Sequence, residues 1–232
     1  MANLEKNQEA TKVDEALVRS EAFFYRYQKT IIAAVIVIIV AVVGGILYHS
    51  YVAGPRSEKA STAMAKAQQY FQDNDYQKAL NGDGANPGFL QIIDQYGGTD
   101  AANLAKLYAG LSYAQTGKYK EAIPLLEDFS SDDEMVGPAA KGTLGDCYAH
   151  VNRLDDAVKA FQEAADKADN NSISPMYLVK AGEILEYQKK PAEALKCYQK
   201  VKDSYPQSMQ AMDIDKYIQR AGGNQITDPS NN

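Results

Sequence analysis

Three stretches of the chain align without gaps through the same small and large residues, and this internal repeat constrains the fold more than any other feature. Gly110, Gly145 and Gly182 are the landmarks, 35 and 37 residues apart. Twelve residues after each stands an alanine (Ala122, Ala157, Ala194), and four after that a large residue (Leu126, Phe161, Tyr198). Tyr113, Tyr148 and Leu185 follow the glycines by three, and Gly117 and Asn152 mark a turn in two of the copies. The spacing predicts paired helices. Gly or Ala at a crossing lets two backbones approach closely, and a large residue one turn on fills the gap beside them. Ala157→Leu is therefore expected to overpack the crossing at a cost of about 1–3 kcal/mol, read as a lower melting temperature of the domain.

This pattern resembles the tetratricopeptide repeat, a helix-turn-helix of about 34 residues that stacks into a right-handed α-solenoid. A degenerate copy precedes the three: Ala67, Tyr70, Asn74 and Ala79 keep the same mutual spacing on a helix beginning near Ser57. Its second helix is interrupted by NGDGANPG (81–88), after which FLQIIDQY runs into Gly97 and Gly98. The repeats are expected at about 60–102, with the insertion, then at 103–137, 138–174 and 175–206, within an all-α domain spanning 56–221. Ser174 and Pro175 read as an N-cap and first-turn proline, Pro191 as another helix start, and Pro124 as lying near the fourth residue of its helix. Met209, Met212 and Ile218 fall on one face of an expected capping helix at 207–221, and a polar, disordered tail is expected at 222–232.

Ahead of the repeats, no Asp, Glu, Lys or Arg occurs from Thr30 to Pro55, and twelve of the seventeen residues from Ile31 to Leu47 are Ile, Val or Leu. Those twelve contribute roughly −4 to −7 kcal/mol to membrane insertion, with no charge to offset them. A transmembrane helix is expected at 30–52, flanked by Phe23, Phe24, Tyr25 and Tyr27 on one side and Tyr48 and Tyr51 on the other. A cleaved signal peptide is the rival, but the leader holds five acidic and five basic side chains and the apolar core is long for that role. Arg19, Arg26 and Lys29 before the span outnumber Arg56 and Lys59 after it, which places residues 1–29 in the cytoplasm and the repeat domain outside. Ala41 and Gly45 form a small-x-x-x-small pair able to seat another membrane helix. Only a few residues separate Pro55 from the first repeat helix, so the stack is expected at the bilayer surface.

A net charge of −6 and the lack of a basic cluster argue against nucleic-acid binding. Two His and two Cys, with no C-x-x-C pair, assemble neither a zinc site nor a Ser-His-Asp triad, and there is no paired acid and base or phosphate loop. The expectation is a protein without catalysis, cofactor, metal or small-molecule substrate. Cys147 and Cys197 read as small buried residues, although a disulfide stays open. Stacked hairpins make a groove lined by their first helices. Register assigns Met64 and Gln68 to it from the first copy, and Tyr108 and Leu111 from the second. Thr143, Asp146 and His150 follow from the third, and Met176, Lys180, Glu183 and Tyr187 from the fourth. The Lys, Arg and Asn of a two-carboxylate clamp are missing, whereas a Met and Tyr lining suits apolar segments of non-native chains or a partner helix.

The short mixed-charge leader, the single span and the segment FLQIIDQYGGTDAANLAKLYAGLSYAQTGKYKEAIPLLEDF together resemble the ancillary Sec-translocon subunit family (YfgM-like) of Gram-negative bacteria. The resemblance implies an inner-membrane protein with a periplasmic domain beside the protein-conducting channel. It also implies as partners translocon subunits, exported polypeptides and a membrane-anchored, isomerase-like chaperone. The rival is an adaptor of an outer-membrane assembly or secretion machine. The lipoproteins of such machines need an early lipidated Cys, and none occurs here before Cys147.

Overall fold

The computed structural model describes residues 27–222 apart from Ile31 and Tyr48. Most of the expected cytoplasmic leader, up to residue 26, and the expected disordered tail from residue 223 lie outside the described residues. The chain divides into two compact units, Met1–Pro55 and Arg56–Asn232. In the first, residues 27–30 and 32–47 form a helix, α1, and a π-helical turn occupies His49–Ala53. Among the described residues one helix is long and apolar enough to cross a membrane, and it begins at Tyr27; its most apolar window has a mean hydropathy of 3.1 and none of it is buried. A helix apolar on every side, with side chains such as Val37 and Val40 about two-thirds exposed, has no polar face to offer water.

The second unit is built of helices, the first of which starts two residues before the division, with no strand among the described residues. They are α2 (Gly54–Gln72), α3 (Tyr76–Asn81), α4 (Phe89–Tyr96), α5 (Asp100–Gln115), α6 (Tyr119–Glu127), α7 (Val136–His150), α8 (Leu154–Ala168), α9 (Ser174–Tyr187), α10 (Pro191–Ser204) and α11 (Ile214–Arg220). The pairs α5/α6, α7/α8 and α9/α10 are hairpins; α6 packs on α7, α8 on α9, and α11 on α10.

One turn geometry closes the three hairpins and also joins α2 to α3, and it explains their common length. Asn74, Gly117, Asn152 and Lys189 each adopt a positive φ of 58–74°, and each stands seven residues after Ala67, Gly110, Gly145 or Gly182. The next residue along donates its backbone N–H to the carbonyl five residues earlier: Asp75 to Tyr70, Lys118 to Tyr113, Arg153 to Tyr148 and Lys190 to Leu185, at 2.8–2.9 Å. This is the Schellman arrangement, which satisfies the last carbonyls of the first helix and turns the chain into the second. Gly and Asn accept the left-handed conformation readily, but in Lys189 the Cβ crowds the carbonyl at a cost of roughly 1–2 kcal/mol, part of which glycine returns as unfolded-state entropy. Lys189→Gly is expected to stabilise the stack by about 0.5–1 kcal/mol, seen as a higher urea midpoint at unchanged slope.

Within each hairpin the glycine is the seat of the large residue sixteen positions on. A Cβ on Gly110 would lie 2.7 Å from Leu126 Cγ, on Gly145 2.8 Å from the Phe161 ring, and on Gly182 2.3 Å from the Tyr198 ring. Ala122, Ala157 and Ala194 are fully buried beside them, so any larger residue at the crossing must push the helices apart. These residues join one apolar core running through α5–α11; a second, smaller core gathers Ala60, Met64 and Ala67 of α2 with Leu80, Phe89, Ile92 and three alanines of α5.

The insertion is ordered by its own hydrogen bonds. Tyr70 Oη donates to Asp83 Oδ2 at 2.6 Å, while the backbone N–H groups of Ala85 and Asn86 donate to Asp83 Oδ1 at 2.9 and 2.7 Å. These donors, the Tyr70 hydroxyl foremost, hold the Asp83 carboxyl well below the usual carboxylate range.

Three local expectations are corrected. Pro124 is the sixth residue of α6, not the fourth, because the helix already begins at Tyr119; it stays exposed, and α6 ends three residues later. Ser174 does not cap α9. Its hydroxyl is buried and donates to the Ala165 carbonyl at 2.7 Å, while Asn170 Oδ1 accepts the N–H groups of Ser172 and Ile173 just before the helix. Met209 and Met212 are 81% and 84% exposed, because a 3-10 turn at Gln210–Met212 breaks the expected helix and leaves Ile214 to pack at the head of the shorter α11.

Candidate protein-binding surface

Four positions recur on the first helix of each hairpin, at −6, −2, +1 and +5 from its glycine. Their spacing of four, three and four puts them on one face. On α5 they are Leu104, Tyr108, Leu111 and Gln115; on α7 Ala139, Thr143, Asp146 and His150; on α9 Met176, Lys180, Glu183 and Tyr187. On α5 the apolar members of the stripe, Leu104, Tyr108 and Leu111, are half-buried, and Gln115 is exposed at the helix end. Leu104 and Leu111 pack against the core, and Tyr108 stacks on Phe89 (5.3 Å between ring centres, 14°) and meets Phe71 edge-on (5.1 Å, 74°). Phe89 is the first residue of α4, directly after the insertion, so the extra segment fills this end of the stripe with an aromatic ring.

Met64 does not belong to the stripe. It stands three residues before Ala67, in register with buried Leu107 and Gly142, and is itself 3% exposed in the smaller core. Gln68, at the +1 position of α2, is half-buried.

On α7 and α9 the stripe is open. Ala139, Met176, Glu183 and Tyr187 are exposed, Tyr187 by 77%, and Thr143, Asp146 and Lys180 are half-buried. His150 is exposed at the end of α7, with its ring stacked on Tyr119 at 4.0 Å and 3°. Between the two helices lies a depression of about 330 Å³ walled by Ala149, Leu154, Ile184 and Tyr187. Its floor is Phe161. Lys180 Nζ lies 5.2 Å from the centre of that ring and donates to both oxygens of Asp146, at 2.7 and 2.9 Å. Held between a carboxylate and an aromatic face, the ammonium is already satisfied. Glu183, on the rim, has no ion-pair or hydrogen-bond partner among the described residues.

Register along first helices could not reveal Leu154, which starts the second helix and also lines the depression. A signal was present: an apolar residue two positions past the turn, where Tyr76 and Tyr119 stand in other copies. In the N-terminal unit Ala41 and Gly45 are exposed one helical turn apart, and nothing packs within 4 Å of where a Gly45 Cβ would be.

Among the described residues no group of three or more His, Cys, Asp or Glu is placed to hold a metal ion. Cys147 and Cys197 are free thiols, 1% and 4% exposed. Burial, with Asp146 adding to it, pushes the Cys147 thiol up to about 11, and burial also raises Cys197. The thiolate is the reactive form, and at pH 8 a group titrating near 11 holds only about one part in a thousand of it. Maleimide labelling of the native protein at pH 8 is therefore expected to proceed at the rate of unfolding and to be complete within minutes in about 8 M urea.

Residues 21–219 match the model of a family described as a tetratricopeptide repeat-like domain. No curated protein matches the chain. Among solved structures, the nearly identical TPR-like repeats of a putative kinesin light chain from Podosopora anserina are similar, with a TM-score of 0.52 and 12% identity over 73% of this chain and 88% of that one. The MamA protein is similar with a TM-score of 0.50 and 17% identity, over 73% of this chain and 93% of that one. At such identities the likeness is one of fold.

Proposed function

Since the chain belongs to the tetratricopeptide repeat-like domain family, we propose that it is a non-catalytic, membrane-anchored scaffold that binds protein segments on the open stripe of α7 and α9. The observation that carries this reading is the contrast along the stripe: the large side chain of α5, Tyr108, is packed against Phe71 and Phe89, while α7 and α9 leave Met176, Tyr187 and an apolar depression exposed. Large apolar side chains left in a concave surface are what a partner segment covers on binding. The apolar helix that begins at Tyr27 supplies the anchor, by its length and composition.

The finer reading is an ancillary subunit of the Sec translocon, in the inner membrane with its repeat domain in the periplasm, assisting exported chains or recruiting a chaperone to them. It is supported by the resemblance of the segment from Phe89 to Phe129 and by the excess of Arg and Lys before the span. An adaptor of an outer-membrane assembly machine is the alternative. A photo-crosslinking residue in place of Tyr187, and another in place of Ala41 where a second membrane helix would seat, separates the two. Translocon subunits or exported chains captured from both positions support the reading; outer-membrane assembly factors alone reverse it. Tyr108, packed between Phe71 and Phe89, is unsuited to this probe. Orientation is tested by a cysteine added after Gly222, against which the two buried native thiols are silent. It should label from outside the inner membrane, and labelling only after lysis refutes the topology.

A further inference from the structure

We propose that the depression between α7 and α9 selects partner segments presenting one large apolar side chain with a lysine or arginine close beside it, an inference that rests on the binding surface above. At about 330 Å³ the depression is at the small end of binding pockets and takes one Leu, Met or Phe side chain rather than a helix face. Its walls are apolar and come from three helices: Ala149 of α7, Leu154 of α8, and Ile184 and Tyr187 of α9. The charges at its mouth are unequal. Lys180 is occupied by Asp146 and by the face of Phe161, so it has little to offer a partner's carboxylate. Glu183 is exposed and unpaired at the rim, on the same face of α9 as Met176 and Tyr187. A cation beside the inserted side chain meets Glu183; an anion there meets Glu183 and the back of an already neutralised pair. Rim charges of this kind set preference and association rate more than affinity.

The test uses the full chain in lipid nanodiscs and fluorescein-labelled, end-capped Gly/Ser peptides carrying a single Leu and, two residues on, Lys, Gln or Glu. Fluorescence anisotropy is expected to rank Lys over Gln over Glu, with about threefold to tenfold between the extremes. The interval should shrink in about 0.5 M salt, where the screening length falls to a few ångströms. In Glu183→Lys the order is expected to invert, and Leu154→Gln is expected to weaken all three peptides. Both positions are at least partly exposed, and each variant is matched to wild type by its melting curve. If Leu154→Gln weakens binding but Glu183→Lys leaves the ranking intact, the charge selection is wrong while the surface stands. If no peptide binds, or if Leu154→Gln leaves binding unchanged, both the selection and the surface are overturned.

Discussion

Phe161→Ala is expected to remove about 3–5 kcal/mol from the stability of the repeat unit, the range for emptying the site of a buried aromatic ring. A domain of this kind holds about 5–15 kcal/mol in all, so the variant should unfold at a far lower urea concentration. The contact beneath the ring makes the prediction sharper. Gly145 lies where an added Cβ would stand 2.8 Å from Phe161, so Gly145→Ala overpacks the crossing even though alanine is the better helix former by about 1 kcal/mol. Once Phe161 is gone the obstacle is gone, and the same Gly145→Ala change should stabilise by about that 1 kcal/mol. The sign of the glycine substitution therefore reverses between the two backgrounds, a coupling that a double-mutant cycle measures directly. Additivity would mean that the glycine is not there to seat the ring. Among the three crossing glycines the single Gly→Ala changes should rank by the stiffness and closeness of what they meet. Of these three, Gly182, 2.3 Å from the Tyr198 ring, should cost most, and Gly110, against the flexible end of Leu126, least.

The second large effect concerns the apolar helix. Val37→Lys exchanges a favourable residue for one costing roughly 2.5–3.5 kcal/mol at mid-bilayer, which leaves the roughly −4 to −7 kcal/mol of the span diminished but favourable. Adding Val40→Lys cancels it. Wild type and the single variant are expected to stay with membranes through an alkaline carbonate wash, and the double variant to leave with the supernatant. Wild-type protein released by the wash would remove the anchor from the reading altogether.

Spacing was a good guide wherever geometry forces residue type. The Gly-to-large pairs could be read from sequence because close helix crossings exclude a Cβ, and Gly117 and Asn152 because they tolerate positive φ. Lys189 occupies the same turn but carries no turn signal, so it emerged only from the backbone. The open surface was less legible. Register could nominate Tyr108 but could not see that Phe89, at the head of the helix that follows the insertion, would cover it. Met64 stands at the −3 position of a degenerate copy, which faces the smaller core and not the stripe. Burial of this kind depends on contacts between hairpins, which a single-repeat pattern does not encode.

The division of the repeat unit into two cores also sets an order of folding. Every hairpin packs on its neighbour in sequence and every first turn closes between residues five apart, a local topology in which little loop entropy is spent before contacts form. The smaller core draws its last members, Ala101, Ala105 and Ala109, from α5, so it can close once the chain has been synthesised through that helix, well before α7 to α11 exist. The same α5 then offers Leu107 to the larger core as the surface on which α6 and its successors condense. During synthesis the N-terminal third of the repeat unit can thus serve as a completed template, on which the open stripe of α7 and α9 is assembled later.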